Sequence, residues 1–191
     1  MVTHVSLENH ADEREALLAF VEAQRGGLRR AVLGLGEEQA ASRPSASELS
    51  LSGLLKHAAE CELNWLRMAQ GRPNERQEGG QSWEDGFRLI DGETIPSVLE
   101  FWADVAAQTA AFTAESDLNG TFALPPAPWF PKDGKVSVRW MLLHLVEEFA
   151  RHAGHADIIR ESLDGKGAWD LLALETGQTW GGDDGTGNAS A

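Results

Sequence analysis

The stretch His144-Leu-Val-Glu-Glu-Phe-Ala-Arg-His152-Ala-Gly-His155 carries three imidazoles and two carboxylates, the side chains that bind divalent metal ions. On a helix turning ~100° per residue, His144, Glu148, His152 and His155 fall at about 0°, 40°, 80° and 20°, so they form one stripe. They cannot all hold the same ion. At a rise of ~1.5 Å per residue, His144 and His155 stand roughly 16 Å apart, whereas ligands must converge to about 2.0–2.2 Å from the metal. Two neighbouring pairs remain, Glu148 with His152 and His152 with His155, and either needs a third ligand from elsewhere. His4 and His10 lie in a polar N-terminal stretch, but His57 sits in Leu-Leu-Lys-His-Ala-Ala-Glu-Cys-Glu-Leu-Asn-Trp, a second strongly helical segment, and is the natural partner. Cys61 follows His57 by four residues on the same flank. It is either a small buried apolar side chain or a further ligand.

The elements that must position these groups are four long helical patterns. From about Asp12 to Leu35, the residues Leu17, Val21, Leu28, Val32 and Leu35 keep a period near 3.6. Ser50 is an expected N-cap for a second helix to about Gln70, with Leu51, Leu54, Leu55, Ala58 and Trp65 turned inward. A third helix starts after Thr94, where Pro96 suits the first turn, and runs to about Glu115 through Val98, Leu99, Trp102, Val105 and Ala106. The fourth, which bears the stripe, runs from near Ser137 to about Leu163, with Trp140 expected in the core beside Met141, Leu142 and Phe149, and Asp164-Gly165 ends it. A short helix is expected around Ala168 to Leu174, and nothing in the sequence is strand-rich. The fold class is therefore all-α, a four-helix bundle in which metal sites are commonly built between facing helices.

Two connections, Gly71 to Glu93 and about Asp117 to Lys135, exceed what a bundle turn needs. The second contains Leu-Pro-Pro-Ala-Pro-Trp-Phe-Pro, where prolines restrict the backbone around Trp129 and Phe130. These rings either plug the end of the bundle or wall a pocket.

With 191 residues and 42% hydrophobic content, the chain can bury one full-sized core. Residues 1–176 are expected to form a single domain and 177–191, rich in glycine and small polar residues, a flexible tail. The net charge is −14, with basic residues scattered, which argues against nucleic acid or an anionic membrane as partner. No apolar run is long enough to span a bilayer, and no basic start leads into an apolar signal segment. A single cysteine fits a reducing compartment, so a soluble, cytoplasmic protein is expected. A homodimer is compatible with the sequence.

Lys56-His57, Trp129-Phe130-Pro131, and the run Glu147-Glu148-(x)3-His152-Ala-Gly-His155-Ala-Asp-Ile-Ile-Arg-Glu161 together resemble the DinB/YfiT-like superfamily, and within it the branch that includes mycothiol S-transferases. The likeness runs from the first helix to Gly165. It implies four long helices connected up-down-down-up and a divalent ion held by one histidine of the second helix and two residues of the last. In many relatives the last-helix ligands are two histidines four apart, the second standing shortly before a glycine. Here that glycine is Gly154, so the matching positions are Glu148 and His152, with His57 as the third ligand. The carboxylate replaces one histidine, as in the mycothiol-dependent maleylpyruvate isomerase branch.

The resemblance implies zinc, with nickel as the alternative, and a reaction in which a low-molecular-weight thiol such as mycothiol is conjugated to an electrophilic small molecule. Thiolate is both the metal-binding and the nucleophilic form. Three other activities fit the same bundle: a thiol-dependent isomerase, a metal-dependent hydrolase, and a non-catalytic binding protein whose ion staples two helices. No general acid or base is identified. His155 and His144 are pocket candidates beside Cys61, Trp129 and Phe130.

Overall fold

The computed structural model describes residues 12–74, 82–90, 92–128 and 130–178. His4, His10, Trp129 and the tail beyond residue 178 lie outside the described residues. Among the described residues, six α-helices follow in chain order: α1 (Glu13–Ala31), α2 (Glu37–Ala41), α3 (Leu51–Ala69), α4 (Ile95–Glu115), α5 (Val138–Asp164) and α6 (Ala168–Thr176). A 3-10 turn spans Trp83–Phe87, and two short strands, β1 (Thr121–Ala123) and β2 (Lys135–Ser137), pair antiparallel with Phe122 opposite Val136. The all-α class holds, with four long helices and this one small ribbon. No helix among the described residues is long and apolar enough to cross a membrane.

The helix starts follow local chemistry. Asp12, Ser50, Thr94 and Ser137 each accept a hydrogen bond from a first-turn backbone N–H, satisfying a donor that has no partner inside the helix. At the end of α5, Gly165 takes a φ of +78° and its N–H bonds to Glu161, a conformation that glycine adopts without strain.

The first helix stops at Ala31, one turn short of the expected Leu35. Its end is fixed by tertiary contact: the buried Arg160 guanidinium of α5 donates to the carbonyls of Ala31 and Leu33, both at 2.9 Å, while Asp164 balances its charge. The chain then turns through Gly34 at φ +75° into α2. That short helix and the β1–β2 ribbon are additions the periodicity does not announce.

Helix α1 packs chiefly along α5, and α3 packs against both α4 and α5. The core they enclose includes Val21, Leu54, Leu55, Trp102, Leu142, Leu145 and Phe149. Trp65 is buried as expected, but Trp140 is 41% exposed. Ser137, the last residue of β2, caps α5 directly, so Trp140 falls in the first turn of the helix.

Within this apolar interior lies a charged hub. Glu62 of α3, fully buried, accepts from Arg25 of α1 through two oxygens (2.9 and 2.5 Å) and from the Trp102 indole of α4 (2.8 Å). One carboxylate thus ties three helices and fixes the rotation of α3. A buried pair of this kind adds little net stability, because desolvation offsets attraction, but stranding one partner costs about 3–5 kcal/mol.

A second constraint on α3 is Gly53. A Cβ there would sit 2.1 Å from the Phe87 carbonyl oxygen, so the 3-10 turn can press against the helix only because the side chain is absent.

Arg25→Ala and Glu62→Ala should each lower the unfolding free energy by about 3–5 kcal/mol, with the double variant losing far less than the sum. A urea-denaturation double-mutant cycle checks this; strict additivity would mean that no charge is stranded in the single variants. Gly53→Ala should cost about 1–3 kcal/mol through overpacking and shift the amide resonances of Trp83–Phe87. Unchanged spectra would refute the close approach.

Candidate metal centre

Helices α3 and α5 bring three of the expected donors to one point. His57 Nε2 lies 3.2 Å from Glu148 Oε1, and His152 Nε2 lies 3.1 Å from the same oxygen. One atom from each of the three residues falls within 4.8 Å of the others. Glu148 and His152 are one turn apart on α5, the spacing that places i and i+4 side chains together, while His57 reaches across from α3. The two imidazole rings meet edge to face at 4.9 Å.

One of the three donors, His57, is held from behind. His57 stacks on Phe87 of the 3-10 turn, with centroids 4.1 Å apart and rings 16° from parallel, and the turn is seated by Gly53. The preceding residue, Lys56, is 1% exposed and its ammonium donates to Glu93 (2.7 Å) and to the Arg88 carbonyl (3.1 Å). That tie fastens the segment after the turn to α3. His152 is buried, with its Nδ1 lacking a hydrogen-bond partner among the described residues, so its polar interactions there run through Nε2.

The electrostatics suit a cation. Hydrogen bonds from His152 and then His57 hold the Glu148 carboxyl well below its ordinary range, against the opposing effect of burial. The carboxylate is therefore ionised at neutral pH and faces two imidazole nitrogens. Two imidazoles and one carboxylate on two helices could hold a divalent ion, and the set resembles the three-ligand sites in which zinc keeps a fourth position open.

The centre opens into a cavity of about 710 Å³. His57 and Glu148 line it, with Cys61 and His144 one helical turn further along and Trp65 and Trp140 beyond them. Phe130, from the proline-rich loop, packs edge-on to Trp65 at 6.4 Å and also lines the cavity, as a wall residue rather than a plug. Cys61 stands outside the converging donor group. Burial, followed by the nearby carboxylates Glu148 and Glu62, pushes its thiol well up, leaving it protonated.

His144 takes no part in the donor group; its ring stacks on Trp140 at 5.1 Å and meets Trp65 at 4.7 Å. His155 is not among the residues lining the cavity. Its ring lies 5.7 Å from that of His152, and burial, ahead of electrostatic contributions from His152 and Arg151, holds its pKa below the ordinary value. Sequence reasoning did not anticipate Phe87 or the cavity role of Trp140. Phe87 follows a glycine in a loop without periodicity, so nothing local marks it. Trp140 stands four residues before His144 and eight before Glu148, which a continuation of the stripe would have found.

None of the curated proteins matches the sequence. Among solved structures, a conserved protein from Enterococcus faecalis is similar, with a TM-score of 0.63 at 12% identity over 81% of this chain and 99% of that one, a likeness of fold. The family model of the mycothiol S-transferases matches residues 16–165, a span that contains all four long helices but for the first turn of α1, and all three converging donors. On that match the chain belongs to the mycothiol S-transferase family.

Proposed function

We propose that the protein is a metal-dependent S-transferase that conjugates a low-molecular-weight thiol, mycothiol or one like it, to an electrophilic small molecule. The observation that carries the reading is the convergence of His57, Glu148 and His152 at the inner end of a cavity large enough for two small substrates. Membership of the mycothiol S-transferase family supports the choice of thiol.

The three donors would hold the ion, zinc by the nature of the ligand set and nickel as the alternative. A divalent ion held there supplies an open position at which a thiol loses its proton, thiolate being the form that binds metals and attacks electrophiles. The chain itself contributes the remaining parts. Glu148 brings the single formal negative charge of the donor set. Phe87 and the Lys56 tie keep His57 aimed at the centre. The cavity walls orient the second substrate and exclude water from the inner end. In the overall reaction a thiol R–SH and an electrophile R′–X give R–S–R′, with the proton and the leaving group X released. Cys61, protonated and outside the donor group, is not the nucleophile.

Elemental analysis of purified protein should find about one divalent ion per chain, as three converging ligands hold one ion. Mass spectrometry should detect conjugates when mycothiol is offered with a reactive electrophile, in preference to bacillithiol or glutathione. His57→Ala and His152→Ala should lose metal and turnover together. Turnover of an ester or amide without added thiol would replace this reading with a hydrolase.

Cys61→Ser should keep its metal content. In the native protein Cys61 should alkylate with iodoacetamide at least about tenfold more slowly than in the urea-unfolded chain, since rate follows the thiolate fraction; equal rates would return it to the list of reactive groups.

A further inference from the structure

Two antiparallel ladders run along the cavity. On α3 the residues His57, Cys61 and Trp65 stand four apart, and on α5 the residues Glu148, His144 and Trp140 do the same in the opposite chain direction. Their inner rungs meet at the donor group, where His57 and Glu148 are 3.2 Å apart. At the outer rungs the Trp65 and Trp140 rings are 5.3 Å apart, and Trp65 also meets His144 at 4.7 Å. Two helical turns, about 12 Å, separate donors from indoles. Phe130 adds a fourth ring to this outer end.

The cavity is chemically divided. Glu60, Asn64, Asn74 and Ser82 line it from the flank of α3 and the neighbouring loop, offering carbonyl, amide, carboxylate and hydroxyl groups. The seam between α3 and α5 offers rings instead. Trp140 is 41% exposed although it lies in a helix. It stacks nearly parallel on His144, 8° off. A large apolar ring left open to a cavity is held at a cost unless something covers it.

We propose that the Trp65–Trp140–His144–Phe130 wall is the electrophile subsite and that it selects flat aromatic electrophiles. The assignment rests on the S-transferase reading and extends it to a substrate class. A polyhydroxylated thiol finds its partners on the polar flank. A planar ring finds offset stacking on the indoles, which is the geometry aromatic pairs prefer. The span between indoles and donors leaves room for a body of one or two fused rings whose reactive carbon points inward. For a chloroarene bearing nitro groups, the thiol sulfur attacks the carbon that carries chlorine. The C–S bond forms and the C–Cl bond breaks. Chloride leaves with the bonding pair, and the thiol proton passes to solvent.

The first test needs no turnover. Calorimetric titration of the metal-loaded protein, without thiol, with the unreactive ring 2,4-dinitrotoluene should give saturable one-site binding. Trp140→Ala should weaken it about three- to tenfold, the scale of one aromatic contact, and Trp140→Phe should restore most of the loss. Absent binding, or equal affinity in Trp140→Ala, would overturn the subsite.

With mycothiol and 1-chloro-2,4-dinitrobenzene, Trp140→Ala should raise KM for the arene while leaving KM for the thiol near its original value. It should also lower the preference for the arene over chloroacetamide. A rise confined to the thiol KM would assign the wall to the thiol and overturn the proposal. Failure of the transferase reading has a different signature: dinitrotoluene binds through Trp140, yet no electrophile yields a conjugate.

Discussion

A carboxylate in contact with two imidazoles across the seam between α3 and α5 organises the functional half of this protein. His57 and Glu148 belong to helices that run in opposite directions, so their contact sets the register of one helix against the other. Once that register is set, every fourth residue outward on each helix comes to line the same cavity. The cavity's composition then follows from the two sequences read in opposite senses. His152 completes the inner end from one turn deeper on α5.

That register would be useless if α3 could rotate. Glu62 lies five residues after His57, about 140° around the helix, and so points away from the cavity into the core, where Arg25 and Trp102 hold it. Lys56 leaves on a third direction and is fixed by Glu93 and the Arg88 carbonyl. Three polar anchors on different sides of one helix over-determine its orientation. The apolar contacts of Leu54, Leu55 and Ala58 supply the burial but tolerate small rotations that these directed bonds do not. Buried charge here favours a unique arrangement over maximal stability.

The four long helices were legible because each keeps an apolar stripe of period 3.6 and starts at a residue able to cap it. The Glu148–His152 pair was legible for the same reason, being one turn apart. The resemblance to the DinB-like superfamily chose that pair over His152 with His155, and in the structure His155 stands beside His152 rather than on the shared carboxylate. Beyond the pairing of His57 with the last helix, contacts between distant segments were not legible. The first helix ends where Arg160 takes its last carbonyls, 127 and 129 residues away in the chain. Phe87 matters because a glycine thirty-four positions earlier admits its turn, a relation with no local mark. Trp140 reads as core by residue type and is exposed by its place in the first turn of α5.

The middle rung of the cavity, Cys61 opposite the His144 region, is occupied on α3 by one of the smallest side chains available. It stands outside the donor group, and its polar partner is the Trp65 side chain one turn further along α3. Depth and the donor set are consequently separable in this scaffold: a leucine or phenylalanine in place of that thiol would shorten the chamber from its midpoint while the three donors kept their identity. Family members could thereby diverge in the length of molecule they admit through a single codon, without altering the three converging donors.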